Sequence, residues 1–429
     1  MGLVSYRLRD DQETDIQERM KSAESLPFDI VMLALPRWDG PYSSTAYSLA
    51  QELANFTRVF YIDNPFTIKD YITGRKREQI RKRKNALLYG KDLFFQPVPA
   101  NSNLVAVTPQ VTFPVNFLPP GKMYDMMSSV NDRILFRAIR KMISHYNIRD
   151  FVFINSFNPI YARSFPTWFK PMLNIYHCVD DISKSEYISR HGTRLERAAV
   201  KKADFTLTTS MELKRLKERD SARVYYHPNA ANVALFQSAF LNKPERPDEL
   251  RAMPAGRKVI LYMGNICHRI DYPLLTKIAQ IHSDKTLVMV GPRSVDNYRK
   301  AGLDTMPNVI FTDSKPLTSL PAYVAYADCC IIPFLCNTLT RSIYPLKINE
   351  YLSAGKPVVT TDFSEDIANF GDVAFVSGDH DAFVANIQQA IDSDTPEKAQ
   401  NRVTYAAGNN WEARAKQLVE LVKTNLEKG

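Results

Sequence analysis

The feature that most constrains the fold is a regular alternation of short apolar segments with longer amphipathic ones along the 429 residues. Short apolar runs bounded by turn residues are typical of buried strands, and the amphipathic stretches between them predict helices that join the strands in parallel. Strand-like segments occur at residues 29–35, 59–63, 104–109, 151–156, 172–180 and 205–210, and again at 258–264, 286–291, 308–313, 329–334 and 357–362. Two α/β series with parallel sheets are therefore expected.

A proline-rich and charged stretch at residues 240–257 separates the two series. The chain is also too long for a single hydrophobic core, which favours two domains. We expect a charged tail (1–26), an N-terminal domain (27–240), a linker (241–257), a C-terminal domain (258–408) and a final helix (409–429). Ligands bind at the carboxyl ends of parallel strands, so facing sheets predict a site in the cleft between the domains.

Composition indicates a soluble, reduced protein. Apolar residues make up 45% and charged residues 24% of the chain, as in ordinary globular proteins. The five cysteines form no CxxC pair, which disfavours a zinc site or a disulfide framework and favours a cytoplasmic protein. No apolar run approaches the roughly 20 residues that cross a bilayer, and residues 1–26 lack the apolar core of a signal peptide.

The net charge is +9, and part of it lies in residues 75–84, which hold seven basic residues and one acid. Three interpretations of this segment stay open: a solvated helix face, a contact with an anionic membrane surface, and nucleic-acid binding. Each lysine or arginine near an acidic leaflet contributes about 1 kcal/mol, so seven could hold a protein on a membrane reversibly. No nucleic-acid module accompanies the segment, so we expect no nucleic-acid partner.

Residues 344–362, "YPLKINEYLSAGKPVVTTD", predict a helix followed by a buried strand. Pro345 suits the first helical turn, and Gly355 suits a left-handed exit from the helix. Lys347 and Glu350 are three residues apart and share one helix face. They form either a surface ion pair or a functional pair.

Three segments carry a resemblance to a known family: "YMGNICHRID", "SLPAYVAYADCCIIPF" and "YPLKINEYLSAGKPVV". They resemble the donor domain of GT-B glycosyltransferases, and the nearest subgroup is the bacterial exopolysaccharide and teichuronic-acid type, including xanthan-type glucuronosyltransferases. The resemblance implies two Rossmann-like α/β domains with parallel sheets facing across a cleft. It also implies transfer of a sugar from a nucleotide diphosphate, UDP in this subgroup, to a glycan or lipid-linked acceptor in surface-polysaccharide synthesis. Such an enzyme would be peripheral on the inner face of the cell membrane.

The resemblance also implies donor-binding residues. Lys347, near a helix N-terminus, would neutralise the diphosphate, and Glu350 would accept hydrogen bonds from the ribose hydroxyls. Arg269, in the loop that begins at Gly264, would supply a second phosphate contact. The stretch 312–316, with Lys315, matches the place where the family holds the base, although an ordinary turn explains it as well.

Ser342 and Tyr344 belong to the same donor segment, and Ser342 departs from the family pattern. Many retaining members have a glutamate at that position, eight residues before the ribose glutamate. Its replacement by serine favours the inverting, xanthan-type mechanism, which needs a general base. No metal cofactor is expected, because the Asp-x-Asp triplets at 379–381 and 392–394 lie late in the chain, away from the predicted cleft.

Asp180 and Asp181 follow a predicted strand, and either is a candidate for the base. The alternative is that Asp181 caps the next helix and Asp180 only bounds the strand. His177 is interpreted as a packed histidine.

In the loop 35–44, Trp38, Arg37 and Tyr42 are candidates for acceptor contacts, although local packing explains Trp38 equally well, and Ser43 or Ser44 would cap the following helix. The motifs of P-loop, serine-hydrolase and zinc-protease chemistry are absent from the sequence. Two alternatives to a transferase remain: a nucleotide-sugar 2-epimerase and a non-catalytic nucleotide-sugar-binding protein.

Overall fold

The computed structural model describes residues 26–40, 44–184, 186–242 and 244–428. Nearly all of the predicted N-terminal tail lies outside these residues. The chain forms two compact units. The first unit contains the chain up to Thr208, residues Leu213–His227 and the end of the chain from Ala415, and the second contains Thr209–Glu212 and Pro228–Arg414.

Within its described residues, the first unit has a sheet of eight strands in the order β3-β4-β2-β1-β5-β6-β7-β8. The strands are β1 (Asp29–Ala34), β2 (Val59–Ile62), β3 (Phe94–Phe95), β4 (Leu104–Val107), β5 (Phe151–Ser156), β6 (Leu173–Cys178), β7 (Phe205–Thr208) and β8 (Val224–Tyr226). All neighbours are parallel except β3 and β4. Most strand residues are fully buried because helices cover both faces of a parallel sheet.

The helices of the first unit connect these strands. They are α1 (Thr45–Leu53), α2 (Ile68–Gly74), α3 (Glu78–Arg81), α4 (Lys84–Tyr89), α5 (Lys122–Tyr146), α6 (Glu186–Lys202) and α7 (Met211–Glu218), with a 3₁₀ turn at Ile182–Lys184. The first two residues of α7 belong to the second unit. Ser44 caps α1 by accepting a hydrogen bond from the Tyr47 backbone N–H. Helix α5 buries Leu135, Ile139 and Met142 in the core.

The second unit has, in its described residues, a wholly parallel sheet of six strands in the order β11-β10-β9-β12-β13-β14. Its strands are β9 (Val259–Met263), β10 (Thr286–Val290), β11 (Val309–Thr312), β12 (Cys329–Ile332), β13 (Val358–Thr361) and β14 (Phe375–Ser377). Every predicted strand segment is therefore a strand in the structure. The short strands β3, β8 and β14 are additional to the predictions.

The helices of the second unit pack on both faces of this sheet. They are α8 (Val233–Asn242), α9 (Asp248–Arg251), α10 (Tyr272–Ile281), α11 (Asn297–Lys300), α12 (Leu320–Ala325), α13 (Leu346–Ser353), α14 (His380–Asp392) and α15 (Pro396–Ala407). Short 3₁₀ turns lie at Leu303–Thr305, Leu317–Ser319, Thr340–Ser342 and Glu365–Phe370. The last helix, α16 (Trp411–Leu426), buries Leu418 and Val422 in a core cluster of the first unit.

The division of the chain differs from the predicted boundaries at residues 240 and 258. The second unit begins at Pro228, because Phe236 and Ala239 of α8 are part of its core. The segment predicted as a linker, 241–257, also contributes Leu250 and Met253 to this core. Prolines and charges there mark a surface segment with short helical pieces, and its few apolar side chains anchor it to the second unit.

Strand order fixes where each unit can bind a ligand. The order reverses between β1 and β5 in the first sheet and between β9 and β12 in the second. Connections leave such a point in opposite directions and open a crevice at the carboxyl ends of the strands. No helix in the described part of the chain is long and apolar enough to cross a bilayer. All five cysteines are unpaired, and all but Cys336 are buried.

Candidate functional site

The motif that contains Lys347 and Glu350 forms helix α13 at the switch point of the second sheet. Pro345 stands immediately before the helix, as its N-cap residue, rather than in the first turn. Gly355 follows the helix with a φ of 71°, the left-handed exit that the sequence predicts. Lys347 is thus the second residue of the helix and Glu350 the fifth, so both lie near the helix N-terminus.

Gly264 follows β9 directly and lies against the Lys347 side chain. A β-carbon built on Gly264 would be 2.1 Å from Lys347 Cε and 2.9 Å from Lys347 Nζ. The Gly264 φ of 144° also favours glycine. On the other side, a β-carbon built on Gly291, which follows β10 directly, would be 2.1 Å from the Gly264 carbonyl oxygen. Only glycines allow the ends of β9 and β10 and the lysine to approach this closely.

Charge around Lys347 and Glu350 is poorly compensated. Glu350 is 8% exposed, and Lys347 is half-buried. Burial raises the pKa of Glu350 to about 7, although the nearby Lys347 opposes this rise. Burial also lowers the pKa of Lys347, and the charge of Arg269 lowers it further while Glu350 raises it. Among the described residues, neither side chain makes a hydrogen bond or an ion pair within 4 Å.

Two buried tyrosines hold this site in place, and the sequence analysis did not single them out. The Tyr351 hydroxyl accepts a hydrogen bond from the Met263 backbone N–H at 2.7 Å. The Tyr262 hydroxyl donates to the Asn265 carbonyl at 3.0 Å. These bonds fix the β9 end around Gly264. For Tyr262, the sequence did contain a signal: it is the one tyrosine in an otherwise aliphatic strand, and the hydroxyl of a buried tyrosine normally makes a hydrogen bond.

Asn349 is a third residue of the site that the sequence alone did not indicate. It is fully buried, its Nδ2 donates to the Tyr344 hydroxyl at 3.0 Å, and its Oδ1 has no partner among the described residues. Tyr344 is therefore a supporting residue that packs near Phe370 and orients Asn349. Burial raises the pKa of Tyr344 to about 12, so its hydroxyl stays protonated.

Two predicted donor residues make local contacts elsewhere. The Ser342 hydroxyl donates to the Leu339 carbonyl, and the Ser342 carbonyl accepts from Ser210, so both groups are used structurally. Lys315 pairs with Glu249, whose other oxygen accepts from Tyr323 at 2.8 Å. The structure therefore brings together Gly264, Arg269, Lys347 and Glu350 but not Ser342 or Lys315.

In the first unit, the candidate bases lie just beyond the end of β6. The Asp181 carboxylate accepts from the Ser183 backbone N–H at 3.0 Å and from the Ser183 hydroxyl at 2.7 Å, so it caps the 3₁₀ turn. One oxygen of Asp180 accepts from the Asp181 N–H at 2.9 Å. Both carboxylates are half-buried. Asp181 therefore acts as a cap, as the alternative interpretation predicted, whereas the Asp180 carboxylate does not cap the turn.

His177, the penultimate residue of β6, is completely buried beside Ser156 at the end of β5. Its Nδ1 lies 3.2 Å from the Ser156 hydroxyl, and its Nε2 has no partner among the described residues. Burial, together with the neighbouring His227, lowers the pKa of His177 to about 3. The imidazole is therefore neutral at working pH, as expected for a packed histidine.

The loop after β1 is fastened by one residue of the basic segment, Arg83. Its guanidinium is fully buried and donates to both oxygens of Asp39, at 2.6 and 2.8 Å, and to Asp63 at 3.4 Å. Burial raises the pKa of Asp39, but hydrogen bonds led by that from Arg83 outweigh it and bring the pKa to about 2. Because Arg83 lies in a run of basic residues, its sequence context did not indicate that it is buried.

Trp38 and Arg37 are used locally. The Trp38 backbone N–H donates to Asp63 at 3.1 Å. The Trp38 side chain packs against a core cluster of the first unit, and the Lys82 ammonium lies 4.7 Å from the indole centroid. Arg37 donates to the Asn64 carbonyl at 3.0 Å and stacks on a neighbouring phenylalanine. Local packing therefore accounts for both side chains. The predicted contact by Tyr42, and the alternative cap Ser43, lie outside the described residues.

The other six basic residues of the segment 75–84 are exposed. The Asp-x-Asp triplets are used locally at the ends of α14: Asp379 caps the helix, Asp381 pairs with Lys277, and Asp394 pairs with Arg402.

At the switch point of the second sheet, Lys347 packs against Gly264 near a helix N-terminus, and the charges of Glu350 and Arg269 act on Lys347. A helix N-terminus offers free N–H groups and partial positive charge, and lysine and arginine add full charge, so this arrangement suits a diphosphate. A carboxylate one turn farther along the helix suits vicinal hydroxyls, which donate two hydrogen bonds. The chemistry of a nucleoside diphosphate fits these residues.

Comparisons with known proteins also point to a glycosyltransferase. Residues 257–393 match the family model described as Glycosyl transferases group 1. The chain is 27% identical over 205 residues to TuaH of Bacillus subtilis (strain 168), which is named as a teichuronic acid biosynthesis glycosyltransferase. That match covers 46% of this chain and 50% of TuaH, so it spans only about half the length of the curated relative.

Solved structures show the fold. Sucrose-phosphate synthase from Thermosynechococcus elongatus aligns over 94% of this chain and 100% of its own, with a TM-score of 0.64 and 16% identity. A UDP-forming α,α-trehalose-phosphate synthase from Burkholderia vietnamiensis covers 94% of this chain and 98% of its own (TM-score 0.67, 10% identity). Anabaena HepE in complex with UDP and glucose covers 92% of this chain and 99% of its own (TM-score 0.59, 14% identity). The fold implied by the resemblance is confirmed: the chain has the GT-B fold, and residues 257–393 match the glycosyl transferases group 1 family.

Proposed function

We propose that this chain is a metal-independent glycosyltransferase that moves a sugar from a UDP-sugar to a glycan or lipid-linked acceptor in bacterial surface-polysaccharide synthesis. The observation that carries the proposal is the Lys347–Glu350 pair. Lys347 packs against Gly264, Glu350 is buried, and neither side chain has a hydrogen-bonding partner among the described residues. Maintaining such charges without partners costs stability, so a bound ligand is the physical reason to keep them.

Uridine as the base rests on two similar structures. The Anabaena protein is described with UDP and glucose, and the Burkholderia synthase is described as UDP-forming. The polysaccharide acceptor rests on TuaH, whose name refers to teichuronic acid biosynthesis. These are properties of the relatives, and they supply the first donor and acceptor classes to test on this chain.

In the proposed donor complex, the first N–H groups of α13 and the Lys347 ammonium bind the diphosphate, and Arg269 adds a second cation. Negative charge grows on the diphosphate as the bond to the sugar breaks, so fixed cations stabilise the transition state more than the ground state. Two such cations supply the charge compensation that a divalent metal would give. Glu350, as a carboxylate, accepts from the ribose hydroxyls.

Asp180 is the proposed general base of an inverting reaction. It takes the proton of the acceptor hydroxyl while that oxygen attacks the anomeric carbon and the carbon–oxygen bond to UDP breaks. Asp181 is less suited, because its carboxylate already caps a 3₁₀ turn. His177 is excluded as a cationic partner, because its pKa is lowered to about 3.

We also propose that the exposed basic side chains of segment 75–84 hold the enzyme reversibly on an anionic membrane. Ile72 and Tyr89, which flank the segment, are 61% and 62% exposed, so apolar side chains accompany the charges. Charges and apolar side chains together are the usual requirements of peripheral binding.

The first experiment is calorimetric titration of the purified chain with UDP and GDP, with and without chelator. We expect micromolar UDP binding that chelator leaves unchanged and that both Lys347→Met and Glu350→Gln reduce at least tenfold. The exposed residues Lys300→Met and Glu397→Gln are matched controls and should bind as the parent does. Binding of neither nucleotide to a folded sample would overturn the proposal.

Turnover separates the catalytic alternatives. A transferase releases UDP from UDP-sugars only when a lipid extract supplies acceptor, apart from slow hydrolysis. Conversion of UDP-N-acetylglucosamine by the chain alone would indicate the epimerase instead. UDP binding without turnover of any UDP-sugar tried would indicate a binding protein.

Membrane attachment is tested by sedimentation with phosphatidylglycerol vesicles. The double variant Arg75→Gln/Arg77→Gln should weaken binding roughly 30-fold, since each basic residue contributes about 1 kcal/mol. Lys300→Gln/Lys428→Gln removes the same charge elsewhere and should bind as the parent does. Equal weakening by both double variants would show that only net charge matters and would refute a role for the segment.

A further inference from the structure

The first unit contains a cavity that the donor and base chemistry does not use. It has a volume of about 170 Å³ and lies between β5, β6 and α6. Its walls are largely apolar, with Phe153 from the sheet, Phe165 from the loop after β5, and Leu195 and Ala198 from α6. A space of this size and lining takes a short hydrocarbon segment rather than a sugar, which would need several polar partners.

Three cations line the same cavity: Arg163, Arg194 and Lys202. Asp125 accepts from Arg163 at 3.2 Å and from Arg194 at 3.4 Å. Asp132 pairs with Arg163 at 3.4 Å. These are the only carboxylates within 4 Å of the three cations in the described residues, so the rim holds one more cation than carboxylates.

Lys202 is the cation without a carboxylate partner among the described residues. Its Nζ lies 3.6 Å from the centroid of Phe165 and donates to the Arg163 carbonyl at 3.2 Å. The ammonium is partly desolvated over the ring, which lowers its pKa from the ordinary lysine value. An anion bound beside it would restore the missing charge compensation.

The rim is held in a costly backbone conformation. Ala162, next to Arg163, has a φ of 56°, which is strained for a residue with a β-carbon. The Ala162 N–H donates to Asp132 at 2.9 Å, and Asp132 also pairs with Arg163. The buried carboxylate thus fixes the turn that holds Arg163 at the cavity. Strain of this kind persists only where the surroundings impose it, and it is common at ligand sites.

Exposed apolar side chains lie at and just before the start of α5. Phe117, Met123 and Met126 are 66%, 55% and 63% exposed. They flank residues that pack on α6, since the Tyr124 ring stacks on His191 at 3.8 Å. Asp125, which accepts from Arg163 and Arg194 of the cavity rim, lies between Met123 and Met126, so exposed apolar side chains occur in the same segment as this rim contact.

Helix α6 itself presents a basic face. Its exposed cations Arg190, Arg194, Arg197 and Lys201 follow one another at intervals of four, three and four residues, so they form one stripe along the helix. Arg194 belongs both to this stripe and to the cavity rim. The stripe extends the positive charge of the rim along the surface.

We propose that this cavity binds the lipid end of the acceptor, a single-chain lipid phosphate, with the phosphate against Lys202, Arg194 and Arg163 and the first part of the chain between Phe153, Phe165 and Ala198. The inference rests on the proposed transferase function, because it names the acceptor class as lipid-linked. One chain, not two, fits a cavity of about 170 Å³, and one uncompensated cation suits a single anionic group.

The test is calorimetric titration of the full chain with dodecyl phosphate below its micelle concentration, with dodecyl maltoside and inorganic phosphate as the neutral-head and chain-free arms. We expect one site per chain for dodecyl phosphate, with at least tenfold weaker binding of both other probes. Ala198→Phe, which fills the cavity from an exposed helix position, should reduce binding at least tenfold.

Lys202→Met should also reduce dodecyl phosphate binding at least tenfold, while Lys201→Met, its neighbour in sequence, should change it less than twofold. Lys201 does not line the cavity and pairs with Asp220 at 3.7 Å instead. Equal binding of dodecyl phosphate and dodecyl maltoside, or full binding by Ala198→Phe, would overturn the inference.

UDP titration of the same samples keeps the two proposals apart. If UDP binds and dodecyl phosphate does not, the cavity inference fails and the donor site stands. If dodecyl phosphate binds with the expected variant pattern and UDP does not, the transferase proposal fails and the cavity is a lipid-phosphate site of another kind of protein.

Discussion

The Lys347 side chain occupies the space that a side chain on residue 264 would need. A β-carbon on Gly264 would lie 2.1 Å from Lys347 Cε, a distance that real structures do not tolerate. The two residues come from different strand-to-helix connections, after β9 and after β12, and they meet because those strands are neighbours in the sheet. The position of the lysine ammonium thus depends on the absence of a side chain elsewhere.

Gly264→Ala is therefore expected to displace Lys347 and reduce UDP affinity at least tenfold, about 1.4 kcal/mol, by calorimetry. The φ of 144° at this position adds backbone strain, so some loss of thermal stability is expected as well. Gly408→Ala is the matched control, because a β-carbon there meets no atom within 4 Å. Unchanged UDP affinity in a folded Gly264→Ala variant would contradict the proposed role of Lys347.

Glu350 should make stability depend on pH in an unusual direction. Its pKa is raised from 4.5 to about 7 in the folded chain, chiefly by burial. Its stabilising contribution is then fully present below the unfolded pKa and is lost as the pH rises through 7. Relative to Glu350→Gln, the parent should lose about 3 kcal/mol of unfolding free energy between about pH 4.5 and about pH 8.

Urea unfolding of both proteins across this range measures the difference, because the other titrating groups cancel between them. Glu397→Gln, at an exposed helix position, should give a flat difference within about 0.5 kcal/mol. A difference for Glu350→Gln that is also flat would show that the carboxylate is not destabilised by burial.

Substitutions of Asp180 and Asp181 should affect different properties, turnover for Asp180 and stability for Asp181. Asp180→Asn is expected to lower turnover roughly 10²–10⁴-fold while UDP affinity stays unchanged, since a general base acts on the acceptor. Asp181→Ala is expected to cost about 1 kcal/mol of stability through the lost cap, with a smaller effect on turnover. Release of UDP from UDP-sugars with lipid extract, alongside UDP calorimetry, measures both. The opposite pattern would make Asp181 the base.

Arg83 should be the most costly residue of the basic segment to replace. Arg83→Met leaves Asp39 and Asp63 without their shared partner in a buried site, and we expect a loss of about 3–5 kcal/mol in urea unfolding. Arg81→Met, two residues away and exposed, should change stability by less than about 0.5 kcal/mol. Similar small losses in both variants would show that the network has little energetic weight.

Local pattern was sufficient for the strands, the parallel sheets and the position of α13. Buried parallel strands are continuous apolar runs, and helix ends are marked by residues such as Gly355, so each can be read within a few neighbouring residues. The pairing of Lys347 with Glu350 on one helix face follows from helix geometry in the same way. The family resemblance added the proposed roles of Gly264 and Arg269, which lie about eighty residues before Lys347 in the chain.

Long-range packing decided the rest. Arg83 reads as one more surface cation in a basic run, yet it is buried against Asp39 and Asp63. Lys315 and Ser342 lie in segments that match the family. Lys315 nonetheless forms an ion pair with Glu249, and the Ser342 hydroxyl donates to the Leu339 carbonyl. The partner of a charged side chain is set by which segments fold together, and the energy of a charge depends on that partner and on burial. Neither the partner of a charged side chain nor its burial can be read from the neighbouring residues alone, so only the folded chain determines them.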